Sequence, residues 1–161
     1  MSDIVIPLDV FDIDSVQNAA ERLKAYYRRL DRQAREICGR LASLGAVRAS
    51  LGFSRAIYNG NNDVHIDVEQ IDSGYRINAN GEAVLFIEFG SGAAYGYGHP
   101  DPQGYGPGTY PGKGHWNDPN GWWYGHGQHS FGNPPAAAMY NAEQEIRQNI
   151  ERVAREVLGR E

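Results

Sequence analysis

The segment that decides the fold runs from 14 to 44 and reads DSVQNAAERLKAYYRRLDRQAREICGRLASL. Its apolar residues recur at alternating steps of four and three, which places them on one face of a helix. This stripe consists of Val16, Ala20, Leu23, Tyr27, Leu30, Ala34, Ile37, Leu41 and Leu44. Asp14 with Gln17 three residues later favours an N-cap, and Gly45 favours a stop. The pattern therefore predicts a first helix of about 30 residues.

Two arrangements fit this apolar stripe. Its steps suit a coiled coil, but the flanking e and g positions lack the charge pairing that coiled coils use. A helix that lies across a sheet, or across a neighbouring subunit, needs only the apolar face itself. We therefore favour the second arrangement.

A β-hairpin is predicted next. Apolar and polar residues alternate from 64 to 69 and again from 75 to 80, as they do in strands with one buried face. The tripeptide Asp-Ser-Gly at 72–74 supplies the turn between them. The run Ala-Ile-Tyr at 56–58, ahead of an Asn-Gly pair, is a candidate third strand.

The segment AVLFIEF at 83–89 is apolar on both parities. It is therefore a fully buried strand or a short buried helix, and its periodicity does not separate the two. Glu88 lies within it and needs a hydrogen-bonding or ionic partner if buried. This requirement favours a structural anchor over a catalytic acid.

A last helix is predicted after Asn133. Pro134 and Pro135 are expected to open it, because proline is well tolerated in a first turn. Its apolar face extends over about five to six turns and consists of Met139, Ala142, Ile146, Ile150, Val153 and Val157. The predicted fold class is α+β: a long N-terminal helix, a small antiparallel sheet, a long Gly/aromatic-rich loop and a C-terminal amphipathic helix.

The Gly/aromatic-rich loop covers about 90–132 and differs sharply from the rest of the chain. It contains all three tryptophans and four of the five histidines, whereas its only charged residues are Asp101, Lys113 and Asp118. So much aromatic area is costly to expose, and long structureless loops in small domains are usually functional. We expect the loop to order against its own domain or a neighbour.

Length and composition indicate one domain over 1–161 of an ordinary soluble class, with a formal net charge of -5 and 41% hydrophobic residues. The first residues, MSDIVIP, predict neither an export signal nor a membrane span. The single cysteine, Cys38, cannot form an intrachain disulfide, and its place in a helical pattern favours a shielded thiol.

No catalytic, cofactor or metal site is predicted. His99, His115, His126 and His129 could suggest a metal, but cysteine ligands are lacking and carboxylates are few. The glycine-rich spacings at 96–98 and 104–108 lack the strand and helix that a phosphate-binding loop needs. The serines lack a nucleophile-elbow context.

Basic residues cluster on the first helix, opposite its apolar stripe. They are Arg22, Arg28, Arg29, Arg32 and Arg35. This face could contact passing DNA, but a solvated face, or pairing with the acidic strand region of a neighbour, is favoured because the whole chain is acidic.

Two segments resemble a known family. Phe86-Ile87-Glu88-Phe89-Gly90-Ser91-Gly92 is one of them, and NPPAAAMYNA at 133–142 is the other. Together with the order of elements from about 16 to 158, they resemble the tail-completion and minor tail proteins of tailed bacteriophages, which are neck or head–tail joining components. The 90–132 loop is longer here than in many members of that family.

The resemblance implies a structural subunit of the virion neck or tail, assembled in the host cytoplasm and not an enzyme. It implies a ring with other copies, six-fold as the expected symmetry, between the connector or stopper and the tail terminator or tube. The expected interface and structural residues are Glu88, Phe89, Gly90, Trp116, Trp122, Trp123, Tyr124, Pro134 and Pro135. Because exposed Trp and Tyr also stack on sugars, a carbohydrate- or wall-binding module is the alternative.

Overall fold

The computed structural model describes residues 5–92, 95, 98–101, 118–124 and 127–159. The elements in chain order are α1 (Ile13–Ser54), β1 (His65–Ile71), β2 (Gly74–Asn80), α2 (Val84–Phe89), β3 (Trp122–Tyr124), β4 (Gln128–Ser130) and α3 (Ala138–Leu158). The predicted α+β class, with a long first helix, a small antiparallel sheet and a C-terminal helix, is confirmed. Much of the predicted 90–132 loop lies outside the described residues.

Helix α1 is longer at both ends than its sequence pattern predicts. Asp12, not Asp14, is its N-cap, and the Asp12 carboxylate accepts the Asp14 N–H at 3.1 Å. The predicted stop at Gly45 is also wrong, since the helix continues to Ser54. A Cβ on Gly45 would lie 2.5 Å from Ile146 Cδ1 and 2.8 Å from Ile77 Cδ1. The glycine therefore lets two neighbouring elements approach the helix closely.

Helix α3 packs antiparallel to the second half of α1. Gly52 meets Ala138 at one end of the contact, and Arg40 Nη1 lies 3.6 Å from Glu156 Oε2 at the other. The earlier part of α1 runs beyond α3. We call residues 13–30 the projecting segment and residues 37–54 the covered segment. At about 1.5 Å per residue, the projecting segment is about 27 Å long.

Strands β1 and β2 form the predicted hairpin. Ile71 pairs with Gly74 across the turn, and His65 pairs with Asn80 at the open end. The candidate third strand at 56–58 is wrong, because these residues connect α1 to β1 without strand pairing. Asn62 instead ties this connection to the end of α1 by donating its side-chain N–H to Phe53 O at 2.9 Å.

The segment 83–89 is a short helix, which decides between the two structures that its pattern allowed. The Asp63 carboxylate accepts the Glu82 and Ala83 N–H groups at 2.7 and 3.0 Å, just before this helix. These two backbone hydrogen bonds lower the pKa of Asp63 below its usual value. The buried core cluster contains Phe53, Ala83, Ile87 and Ala138.

Helix α3 begins at Ala138 rather than at the two prolines, which corrects the predicted start. Pro134 and Pro135 belong to an irregular segment. This segment is bonded to α2, since Ala136 N–H donates to Ile87 O at 2.8 Å and Ala137 N–H donates to Glu88 O at 3.1 Å. Because the backbone of Ala136 and Ala137 is bonded to α2, the segment that contains the prolines does not form the first turn of α3. Ala137 then turns the chain with a left-handed φ of 47°.

Cys38 is exposed, so the predicted shielding of this thiol is wrong. It lies on α1 beside the turn of the β1–β2 hairpin, at the border of the space between helix and hairpin. Among the residues that the structure describes, no helix has both the length and the apolar composition needed to cross a membrane.

Candidate functional site

A buried carboxylate joins α2 to α3. Glu88 is 5% exposed, and its side chain accepts the Met139 N–H at 2.9 Å and the Tyr140 N–H at 3.1 Å. The first amides of a helix have no partner within the helix, and a negative charge at that end is favourable. The N-cap residue, Ala137, has no side-chain group that could accept a hydrogen bond from these amides. Glu88 therefore caps α3 from outside it.

His99 completes the surroundings of this carboxylate. Its Nε2 lies 3.2 Å from Glu88 Oε1, and its Nδ1 accepts the Asp101 N–H at 3.0 Å. Because Nδ1 accepts, the hydrogen-bond pattern assigns a proton to Nε2, which donates to Glu88. The ring is buried against Phe89, with centroids 4.6 Å apart, and against Tyr140 at 5.9 Å. Glu88 thus accepts three hydrogen bonds in an apolar surround, which is the arrangement that stabilises a buried carboxylate.

The residues after Glu88 add a second contact, which is an antiparallel β-bridge between Ser91 and Asn133. Ser91 N–H donates to Asn133 O at 2.9 Å, and Asn133 N–H donates to Ser91 O at 3.0 Å. Gly90 has a φ of 77°, and a Cβ there would lie 2.7 Å from Pro135 N. We call Glu88–Ser91 together with Asn133–Tyr140 the buried joint. It brings into contact the two segments on which the family resemblance rests.

The two adjacent tryptophans face opposite sides of the β3–β4 hairpin. Trp123 is 71% exposed, and its ring centroid lies 4.7 Å from that of His129, which lies 4.7 Å from that of Phe131. We call these three rings the aromatic stack. Trp122, by contrast, is half-buried and borders a cavity of about 210 Å³. Strand alternation accounts for the split.

The cavity combines aromatic and polar groups. Its aromatic lining is Tyr58, Phe86 and Trp122, and Ser91 and Asn133 of the buried joint add polar atoms. The side-chain amide of Asn133 is already engaged, since it donates to Phe86 O at 2.9 Å. Trp116 lies outside the described residues, and so does the side chain of Tyr124, whose backbone belongs to β3.

The basic residues lie on or just beyond the projecting segment. Arg22, Arg28 and Arg32 are exposed. The Arg29 guanidinium lies over the Tyr26 ring, 5.5 Å from its centroid, and Arg35 Nε donates to Asp31 at 3.0 Å. The structure therefore leaves a mostly solvated basic face on this part of α1.

The apolar stripe of the projecting segment is also exposed. Tyr27 is 62% exposed and Leu23 44%, and no residue between 13 and 30 is buried. The same stripe becomes half-buried from Ile37 onward. Large apolar side chains in an exposed row are typical of interaction surfaces.

Metal-binding side chains do not cluster in the described part of the chain, where no group of three or more His, Cys, Asp or Glu residues is arranged to hold an ion. His99 contacts Glu88, and His129 belongs to the aromatic stack. His115 and His126 lie outside the described residues.

The sequence pattern missed two features of these sites. The short β3–β4 hairpin was not predicted, although Trp-Trp-Tyr and Gln-His-Ser around a glycine at 127 carry a weak strand signal. The partners of Glu88 were also missed, because two of them are backbone amides 51 and 52 residues further along the chain and the third, His99, lies in the irregular segment after α2. Comparison of the chain with protein-family models, with curated proteins and with solved structures finds no match.

Proposed function

We propose that this chain is a structural subunit of the neck or tail of a tailed phage, that it joins copies of itself in a ring at the head–tail interface, and that it is not an enzyme. The ring is proposed to have six members and to meet connector or stopper subunits on one side and tail terminator or tube subunits on the other. Its location is the virion, after assembly in the host cytoplasm.

The observation that carries this proposal is the projecting segment. A helix normally buries its apolar face, and here about 27 Å of helix leaves that face in solvent. Tyr27 and Leu23 are the most informative residues, because the exposed area of such side chains is costly unless a partner covers it. A subunit whose exposed apolar face is covered by neighbouring subunits accounts for this arrangement.

The buried joint supports the family resemblance. Glu88 of the first motif caps the helix that follows the second motif, and Ser91 pairs with Asn133. The two short motifs, which are far apart in the sequence, therefore serve one structural purpose.

Mass measurement of the purified chain tests the proposal. Native mass spectrometry is performed on the chain alone and then after mixing with connector and tail-tube subunits. Rings, or stable complexes with either subunit, are expected. A chain that stays monomeric and binds neither subunit at any concentration contradicts the proposal.

The aromatic stack favours a second candidate, which is a carbohydrate- or wall-binding module. Trp123 presents a wide exposed ring, and aromatic faces of this kind stack on sugar rings. Glycan pull-down separates the two functions, with Trp123→Ala as the binding variant and Tyr27→Ala as a control that removes another exposed aromatic ring. Glycan capture that is lost only in Trp123→Ala supports the second candidate.

A further inference from the structure

The cavity of about 210 Å³ is formed by four separate parts of the chain, and the proposed ring gives it no role. Tyr58 comes from the connection between α1 and β1, Phe86 from α2, Ser91 from the buried joint and Trp122 from the β3–β4 hairpin. These parts meet only in the folded chain. The cavity is therefore a product of the tertiary structure and not of one local turn.

Asn133 and Gly60 hold the walls of this cavity in place. The Asn133 side chain donates to Phe86 O at 2.9 Å and accepts a hydrogen bond from the Ser91 hydroxyl. A Cβ on Gly60 would lie 2.7 Å from atoms of the Tyr58 ring, so glycine at this position lets the backbone lie against the ring. Walls that are already fixed lose little conformational entropy when a ligand binds.

Two buried hydroxyl groups give the cavity one hydrogen-bond acceptor and one donor. Ser91 donates its proton to Asn133, and its oxygen keeps lone pairs that can accept a hydrogen bond. Ser130 Oγ accepts the Gly132 N–H at 3.0 Å, and in the part of the chain that the structure describes its own proton has no acceptor. Both serines line the cavity and are only 6% exposed. A ligand that bonds to them would satisfy a buried donor that is otherwise costly.

We propose that this cavity binds one neutral sugar ring. Among the described residues that line it, none carries a charge, so it offers no ionic partner to a phosphate, a carboxylate or an ammonium group. Its three aromatic rings match the C–H faces of a sugar, and the two serine hydroxyls match the hydroxyl groups at the sugar's edge. Pockets for drug-sized ligands measure roughly 300–1,000 Å³, so this smaller cavity limits the occupant to about a single ring.

The sugar site goes beyond the proposed function, because it does not depend on ring formation. It is also separate from the aromatic stack, since Trp122 and Trp123 face opposite sides of the β3–β4 hairpin. An aromatic side chain from a neighbouring molecule is the main competing occupant. Such a side chain would fill the volume but would leave the Ser130 hydroxyl without an acceptor, which makes it the less favourable choice.

A titration followed by NMR tests the site in the unaltered chain. The probes are the methyl glycosides of glucose, galactose, mannose and N-acetylglucosamine, with p-cresol as an aromatic comparison. At least one glycoside should shift the Trp122 indole N–H signal and leave that of Trp123 in place, with a dissociation constant on the order of 1 mM. The proposal is wrong if no glycoside shifts the Trp122 signal, or if p-cresol binds more tightly than every glycoside.

Two matched variants, Trp122→Phe and Trp123→Phe, locate the bound sugar and also assign the two indole signals. Trp122→Phe reduces the aromatic wall of the cavity, so the dissociation constant of the glycoside should rise by at least about fivefold. Trp123→Phe makes the same change on the other side of the hairpin and should bind like the unaltered chain. Loss of binding in Trp123→Phe alone would place the sugar on the aromatic stack and overturn the proposal.

Ser130→Ala tests the hydroxyl donor without altering an aromatic ring. Loss of this hydrogen bond should raise the dissociation constant by about three- to tenfold. Circular dichroism confirms that each variant is folded, and the titration of the unaltered chain does not depend on any variant. Unchanged affinity in Ser130→Ala would contradict the proposed binding mode. The mass measurement of ring assembly is independent of all these results, so the sugar site and the proposed function can fail separately.

Discussion

The apolar stripe of α1 is half-buried where it enters the covered segment and exposed along the projecting segment. In the covered segment the stripe residues Ile37, Leu41 and Leu44 are half-buried, and the fully buried residues lie beside the stripe and are Ala42, Gly45, Ala49 and Phe53. In the projecting segment the stripe residues Leu23, Tyr27 and Leu30 are exposed. Gly45 allows two neighbouring elements to approach the covered segment closely.

Periodicity alone does not reveal which part of a helix is covered by another element of the chain. A stripe continuous from Val16 to Leu44 indicates one face. The positions of α3 and of the β1–β2 hairpin, and not the stripe itself, separate the part packed within the chain from the part left exposed. Substitutions in both segments test this division, beginning with those that should alter stability most.

Removing the cap of α3 should cause the largest loss of folding stability. Glu88→Ala leaves the Met139 and Tyr140 amides and the His99 ring without their buried acceptor, so the free energy of unfolding should fall by about 3 kcal/mol. Urea denaturation followed by circular dichroism measures the change. Glu143→Ala, which removes an exposed carboxylate of α3, is the control and should change stability by less than about 0.5 kcal/mol. Equal losses in the two variants would contradict the capping role.

Filling the closest contact of the covered segment should have the next largest effect. Gly45→Val places side-chain atoms where Ile77 and Ile146 already lie, and overpacking of this kind should cost about 2 kcal/mol. The same denaturation experiment measures it. A variant as stable as the unaltered chain would show that α3 and β2 do not approach α1 as closely as described.

Truncation in the projecting segment should leave the stability of the isolated chain nearly unchanged. Leu23 is partly exposed and lies beyond α3, so Leu23→Ala should alter the free energy of unfolding by less than about 0.5 kcal/mol in dilute monomer. Self-association in a concentration series should nevertheless weaken. A large loss of stability in the monomer would mean that this half of α1 is covered within its own chain.

The smallest effect on stability is expected at low pH. It concerns Asp63, whose carboxylate joins the segment after α1 to the residues just before α2. The pKa of Asp63 is lowered in the folded chain, so its stabilising contribution is present above the ordinary aspartate pKa and is lost as pH falls through the lowered value. Asp63→Asn should therefore be less stable than the unaltered chain near neutral pH, and the gap should narrow below about pH 4. A gap that is constant with pH would exclude the charge as its cause.

Local patterns predicted the elements whose partners are near in sequence. The stripe predicted α1, and the alternation around the turn at 72–74 predicted the hairpin. The end of α1 was mistaken because glycine at 45 can serve either as a helix stop or as a close-packing site, and only α3 distinguishes these roles. The start of α3 was also predicted wrongly from the two prolines, since the segment that contains them is bonded to α2 rather than to the next turn of α3.

The candidate sites were predictable only in part. Sequence alone indicated that Glu88 needs a partner, but the amides of Met139 and Tyr140 and the ring of His99 come near it only through the tertiary fold. Strand alternation could have shown that Trp122 and Trp123 face opposite sides, had the short hairpin been recognised.

The external cap on α3 also affects how its first turn exchanges amide hydrogens with solvent. Helix ends usually fray, so their first amides exchange quickly without wider unfolding. The Met139 and Tyr140 amides are held by a carboxylate of another helix, inside the protein. These amides exchange when α2 and α3 separate. We therefore expect that slowly exchanging amides are found in α3 from its first turn onward.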